Sequence, residues 1–299
     1  MTMNKPRGLY IHVPFCLTKC PYCDFYSVSY SRSAAGEYAS AVMRNLARCS
    51  EPFDTVYFGG GTPILAAEHI GGILSCANLT RGAEITVEAN PCLCLPETLE
   101  TLRKSGVNRL SVGVQSLDGG ELAALGRRHG ARQAENAILA AARAGFEDIS
   151  ADIMLAVPRQ TCESLSRTIA RLAELPLTHV SAYLLKIEPA TPFGADPPET
   201  PDEDETAELY LRAVSELEKR GFAQYEISNF AKKGYESRHN LKYWRREEYL
   251  GIGAAAHSFY GGERFAVPRD AGAFIAAPVQ QTVLTDGAPD ETEERIMLG

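Results

Sequence analysis

The stretch GLYIHVPFCLTKCPYCDFYS, residues 8–27, joins an apolar run to three cysteines, Cys16, Cys20 and Cys23. Residues 8–14 have the apolar, β-branched character of a strand, and the cysteines follow where that strand must end. The C-x3-C-x2-C spacing offers three thiols within eight residues. Three thiolates are enough to hold a cubane iron–sulfur cluster while leaving one iron without a protein ligand. A structural zinc ion wants four ligands. His12, four residues before Cys16, is the nearest candidate for the fourth, but no second cysteine pair follows as in most structural zinc sites. The sequence shows no signal peptide or apolar run of membrane length, so the chain reads as cytoplasmic, where thiols stay reduced and disulfides are not expected. Cys49, Cys76 and Cys162 fall in helical patterns and read as small buried hydrophobes, whereas Cys92 and Cys94 flank Leu93 in a loop and lack so ready a reading.

Outward from this stretch, apolar runs recur at 8–14, 55–61, 84–90, 108–116, 149–157 and 179–188. Helix-period segments lie between and after them, near 34–49, 64–76, 96–105, 131–144, 162–175 and 202–220. Gly106, Gly145 and Gly221 stand just past three of those helices, where a left-handed cap belongs. Such alternation predicts parallel βαβ units, because parallel strands need crossover helices. Six units are too few to close an eight-stranded barrel, which leaves an open three-quarter barrel or a doubly wound sheet. Both place a site at the carboxyl ends of the strands.

A length of 299 residues with 45% hydrophobic content supports a sizeable core, and the net charge of −8 with pI near 5.4 disfavours a general nucleic-acid binder. The compositional break at 189–205, PATPFGADPPETPDEDE, reads as a long loop and a boundary between a core at 1–190 and a C-terminal extension at 191–299.

Polar residues gather at the predicted strand ends. Gly59, Gly60 and Gly61 with Thr62 follow strand two; three glycines admit a closely approaching ligand or simply make a tight turn. Glu88 closes strand three, suited to an ammonium or ribose hydroxyl, with a surface carboxylate as the plainer reading. Gln115 interrupts the apolar run of strand four and needs partners if buried. Arg127 and Arg128 end a short helix and suit a carboxylate, although a solvated helix end is the plainer role, above all for Arg128. Asp152 lies earlier in strand five, so its direction is open.

Strand one with its cysteine triplet, then GGGTP (59–63), VEANP (87–91), GVQS (113–116) and a strand with DIM (152–154) resembles the radical S-adenosylmethionine (SAM) family. The similarity is greatest to the branch holding the oxygen-independent coproporphyrinogen III oxidases and the heme chaperone HemW, and runs from Gly8 to about Ser258. The resemblance implies a partial (β/α)6 barrel with a smaller α+β extension. It implies a [4Fe–4S] cluster on Cys16, Cys20 and Cys23 that binds SAM, and SAM contacts from Tyr10, Gly60, Gly61, Thr62, Glu88, Gln115, Arg127 and Asp152, with Tyr22 as the aromatic between the second and third cysteines. An electron donor such as flavodoxin or ferredoxin, heme or porphyrinogen as the bound molecule, and an acceptor protein for heme would be the partners.

Asp24-Phe25 departs from the oxidases, in which another cysteine follows the triplet, and CPYCDF is the form of the chaperone branch. RHNLKYW, residues 238–244, resembles that branch's HNxxYW motif, which implies His239 as a heme ligand beside the flat surfaces of Tyr243 and Trp244. Ser237 stands where many relatives carry cysteine, and Cys92 and Ala156 stand where they usually carry glycine. Relatives also usually continue into another small domain, so the chain reads as truncated or naturally short. The chaperone reading leads; a porphyrinogen-oxidising enzyme is the alternative, and a radical SAM enzyme acting on RNA or another substrate a further one.

Overall fold

The computed structural model describes residues 6–278 and the backbone of 283–284. Six parallel strands form its centre: β1 (Arg7–Val13), then, past the short pair β2 (Phe15–Cys16) and β3 (Val28–Ser29), β4 (Phe53–Gly60), β5 (Leu79–Ala89), β6 (Arg109–Gln115), β7 (Asp148–Leu155) and β8 (His179–Leu184). The crossovers carry α1 (Arg32–Leu46), α2 (Ala67–Ser75), α3 (Pro96–Lys104), α4 (Gly119–Ala124), α5 (Ala131–Arg143) and α6 (Cys162–Ala173). Gly106, Gly145 and Gly221 take positive φ just past α3, α5 and the later helix at Glu203–Glu218, as their caps require.

The six strands share one alternation. Leu9 and Ile11, Val56 and Phe58, Ile85 and Val87, Leu110 and Val112, Ile149 and Ala151, and Val180 and Ala182 are all buried in one apolar core with helix residues such as Ile70, Leu99, Ile138 and Ile169. The intervening positions are polar or aromatic: Thr55 and Tyr57, Thr86 and Glu88, Arg109 and Ser111, Ser150 and Asp152, Ser181 and Tyr183. Parallel register sets these in rows, with Tyr10 opposite Tyr57, Tyr57 opposite Thr86, Thr86 opposite Arg109 and Arg109 opposite Asp148. An apolar face packed under helices and a polar face turned to a common lumen make the partial barrel.

After the short helix α7 (Pro192–Ala195) and α8 (Glu203–Glu218), the chain returns to the same sheet. Strands β9 (Ala223–Gln224) and β10 (Asn229–Ala231) add antiparallel to β8. Following α9 (Arg238–Trp244), β11 (Tyr249–Ile252) adds parallel to the opposite edge, beside β1, and β12 (His257–Tyr260), β13 (Glu263–Ala266) and β14 (Val283–Leu284) continue that edge around α10 (Ala271–Ala276). The boundary expected at residue 190 therefore does not divide the chain into separate bodies, because strands from 191–299 extend both edges of one twelve-stranded sheet. No described helix is long and apolar enough to cross a membrane.

Candidate cluster and cofactor site

Cys16, Cys20 and Cys23 lie at the carboxyl end of β1 and line a cavity of about 570 Å³ with residues from the ends of β4 to β8. Its walls include Tyr22, Gly60, Gly61, Thr62, Glu88, Gln115, Arg127 and Asp152. Thus four strand ends and the cysteine loop do converge, and Asp152 faces this cavity despite its earlier place in its strand. Tyr10 does not line it: its ring stacks on Tyr57 at 6.3 Å and borders a neighbouring cavity instead. Arg128 is exposed.

The glycines at the end of β4 brace the cysteine loop. Gly61 N donates to Val13 O at 2.9 Å and Thr62 N to Phe15 O at 2.8 Å, while Thr62 Oγ1 lies 3.5 Å from Cys16 Sγ. A Cβ on Gly61 would stand 2.7 Å from Phe15 O, and one on Gly60, at φ 113°, would stand 2.6 Å from the His12 ring. Steric contact with β1 and β2 therefore demands glycine here whether or not a ligand approaches.

His12 is held away from the thiols, with Nε2 3.0 Å from Tyr26 O and Nδ1 3.1 Å from the Tyr10 hydroxyl. Among the described residues no three Cys, His, Asp or Glu side chains gather round one ion-sized point. Thiolates on a single zinc would sit within about 4 Å of one another. A cubane binds each thiolate to a different iron, so three thiols lining one cavity need not meet at a single point.

Glu88 accepts from the Tyr57 hydroxyl at 2.9 Å and from Gly60 N at 3.3 Å. Burial, then the nearby Asp152 carboxylate, pushes its pKa up to about 7 despite those two donors. Asp152 accepts from Ser111 Oγ at 2.9 Å, and burial raises it too. Arg127 donates to Gly113 O at 2.9 Å and reaches Cys20 Sγ at 3.4 Å, yet its Nε is buried without a partner. Gln115 sits at φ 66° beside a register shift between β6 and β7, and Ala156, where the resembled branch usually has glycine, sits at φ 56°. Strained backbone of this kind gathers at ligand sites.

The opposite end of the lumen is sealed. His239 is fully buried, with Nδ1 2.8 Å from Thr55 Oγ1, Nε2 2.8 Å from the Tyr243 hydroxyl, and its ring stacked on Tyr57 at 5.3 Å. Burial, then Lys242 and Arg109, pushes its pKa down to about 3. Both Glu84 carboxylate oxygens accept from the start of α9, at Arg238 N and His239 N, and Ser237 caps the helix by accepting from Asn240 N at 3.3 Å. His239 was expected to offer a nitrogen to heme iron. Here both nitrogens are taken by protein, because α9 plugs the barrel floor.

Tyr57, Tyr183 and Met154 also line the cysteine cavity and were not singled out from sequence. Their signal was available: each falls on the polar side of its strand's alternation. Cys92 and Cys94 lie outside the cavity; Cys94 is buried and bonds Asn90 O. Cys49, Cys76 and Cys162 are only partly buried, though packed against the core.

Residues 10–172 match the Radical SAM superfamily. The chain is 38% identical over 273 residues to the heme chaperone HemW of Bacillus subtilis (strain 168), covering 86% of this chain and 72% of that protein. It is 37% identical over 268 residues to HemW of Escherichia coli (strain K12), covering 86% and 71%. The chain is a radical SAM protein of the HemW family. It is also 36% identical over 311 residues to the mitochondrial radical S-adenosyl methionine domain-containing protein 1 of Bos taurus, covering 99% and 68%. Its fold matches the solved coproporphyrinogen III oxidase HemN of Escherichia coli, a radical SAM enzyme, with TM-score 0.82 at 21% identity over 98% of this chain and 74% of that one. The radical SAM family implies a [4Fe–4S] cluster and SAM. The residues present fit both: three thiols on one loop, two carboxylates, and a buried guanidinium nitrogen without a partner share one cavity.

Proposed function

We propose that this protein is a heme chaperone that carries a SAM-binding [4Fe–4S] cluster and passes heme to an acceptor protein. The observation that carries the cofactor half is the cavity itself, in which Cys16, Cys20 and Cys23 face Glu88, Gln115, Arg127 and Asp152. The family supports the heme half, since HemW relatives are named heme chaperones.

Cys16, Cys20 and Cys23 would hold the cluster, which when bound supplies an open iron for chelation and an electron for reductive chemistry. Glu88, ionised, would take the SAM ammonium, and Arg127 a SAM carboxylate through its unpartnered Nε. Gly60, Gly61, Thr62, Gln115 and Asp152 line the remaining walls and would face the nucleoside. Tyr22, packed with Leu125, Met154 and Val157, would shield the cluster side from water. Reduction needs a donor such as flavodoxin or ferredoxin, and the cytoplasm, where thiols stay reduced, is the compartment that suits the three cluster cysteines.

The test is anaerobic. Reconstituted protein should bind close to one heme per chain and leave coproporphyrinogen III unconverted in the presence of SAM and reductant. Turnover of the porphyrinogen would replace the chaperone reading with the oxidase one. Phe25, which stands where the oxidases of the resembled branch have a cysteine, is 67% exposed and offers no thiol.

A further inference from the structure

The Tyr10 cavity calls for an occupant. It measures about 690 Å³, within the range of small-molecule sites, and is walled by Phe25, Tyr26, Tyr243 and Tyr249 with Val267 and Pro268. Asp24 and Phe25 line both this cavity and the cysteine cavity, so the two are neighbours across one short segment of the cysteine loop.

The chain has six histidines. His12, His179 and His239 each have both ring nitrogens hydrogen-bonded. His129 is buried, with Nε2 2.9 Å from Val114 O, and His69 lies beside Glu68 on α2; neither borders the aromatic cavity. His257, the first residue of β12, is exposed and lines the cavity; its backbone pairs with Ala266 in the ladder, while its ring nitrogens enter no hydrogen bond or ion pair among the described residues. Arg269 stands at the same cavity, hydrogen-bonded to Asp24 O at 2.5 Å and 3.7 Å from the Asp24 carboxylate through the same Nη2, with its other guanidinium donors left for an anion.

We propose that the Phe25–Tyr26–Tyr243–Tyr249 cavity is the heme seat and that His257, rather than His239, supplies the axial nitrogen. A planar macrocycle needs flat apolar walls, which the four aromatic rings give. Its iron needs an uncommitted imidazole, which His257 gives. Its propionates need a cation at the rim, which Arg269 gives. The HNxxYW helix contributes through Tyr243, whose ring lines the cavity while its hydroxyl holds His239 in the floor. The Asp24–Phe25 wall would then set heme beside the cluster site.

This inference rests on the heme-chaperone reading, and hemin titration of the reconstituted protein separates the two. His257→Ala removes an exposed side chain, so folding and cluster content should be unchanged. Removing a metal ligand should weaken heme at least as much as removing an outer-shell partner does, on the order of 10–100-fold. The imidazole-ligated Soret band should be lost and should return on adding free imidazole. Val267→Trp, which fills the cavity, should block heme while leaving the SAM-dependent cluster EPR signal intact. Unaltered heme affinity and spectrum in His257→Ala would overturn the assignment of His257, and unaltered binding in Val267→Trp the seat as well. Absence of heme binding by the parent protein would instead overturn the chaperone reading itself.

Discussion

The two ends of the barrel lumen are built from the same strands and the same alternation, but they are finished in opposite ways. At the floor most polar groups are held by protein: Glu84 caps the first two amides of α9, Thr55 and Tyr243 take both nitrogens of His239, and Ser150 and Tyr225 take both nitrogens of His179, with Thr86 Oγ1 and the ion-paired Arg109 Nε left without a hydrogen bond. At the mouth, Arg127 Nε has no partner, burial raises the pKa of both Glu88 and Asp152 and the Asp152 carboxylate raises Glu88 further, and Gln115 and Ala156 sit at positive φ. A buried polar group satisfied by protein contributes to folding, whereas one left short is kept for something else. The contrast explains why a histidine in a heme-associated motif lies in the floor while the cysteines lie at the mouth.

The comparison breaks most visibly at the cysteines. Cys20→Ala should abolish iron and inorganic sulfide together while leaving the far-ultraviolet circular dichroism of the chain unchanged. Stoichiometric zinc without sulfide in the parent protein would contradict the cluster. At the floor, His239→Ala leaves Thr55 and Tyr243 without a partner in a dry site. It should destabilise the protein by about 3 kcal/mol in chemical denaturation. A variant as stable as the parent would show that α9 is not a structural plug.

At the mouth the balance reverses. Glu88→Gln should cost little stability but weaken SAM by roughly 1.5–3 kcal/mol, or about 10–150-fold, with cluster content intact. Unchanged SAM affinity would assign Glu88 to structure. A smaller effect follows from pH. The folded-state pKa of Glu88, about 7, lies above the ordinary carboxylate value, so the folded protein holds this proton more tightly than the unfolded chain. This group's share of stability is therefore full below the ordinary carboxylate range and lost as pH rises through 7, and SAM affinity should gain over that same upper step as the carboxylate ionises. Both slopes should flatten in Glu88→Gln. The smallest effect is at Ala156, where glycine would relieve a left-handed strain of about 1 kcal/mol, offset in part by unfolded-state entropy. Thermal unfolding of Ala156→Gly should show a slight gain.

The alternating parallel units and their helices were legible because hydrophobic period and terminal glycines are local signals, and Gly106, Gly145 and Gly221 adopt the conformation their positions implied. The cysteine loop and Glu88 were legible for the same reason. What stayed hidden depends on chain segments far apart in sequence. Nothing near His239 shows that Thr55, 184 residues away, will take its Nδ1. Nothing near Tyr10 shows that its ring will turn behind Tyr57 into the second cavity. The break at 189–205 looked like a domain boundary because composition marks a loop, whereas the strands beyond it return to both edges of the same sheet. One signal was present and unused. Parallel strands covered on both sides usually run continuously apolar, so polar residues at every second position of β4 to β8 mark a polar lumen rather than a second apolar core.

The central claim is that the mouth holds a cluster with an iron open to SAM, and EPR of the anaerobically reduced, reconstituted protein tests it most directly. A [4Fe–4S]+ signal that changes on adding SAM, and changes less at the same SAM concentration in Glu88→Gln, is the predicted result. A reduced signal indifferent to saturating SAM in the parent protein would contradict it.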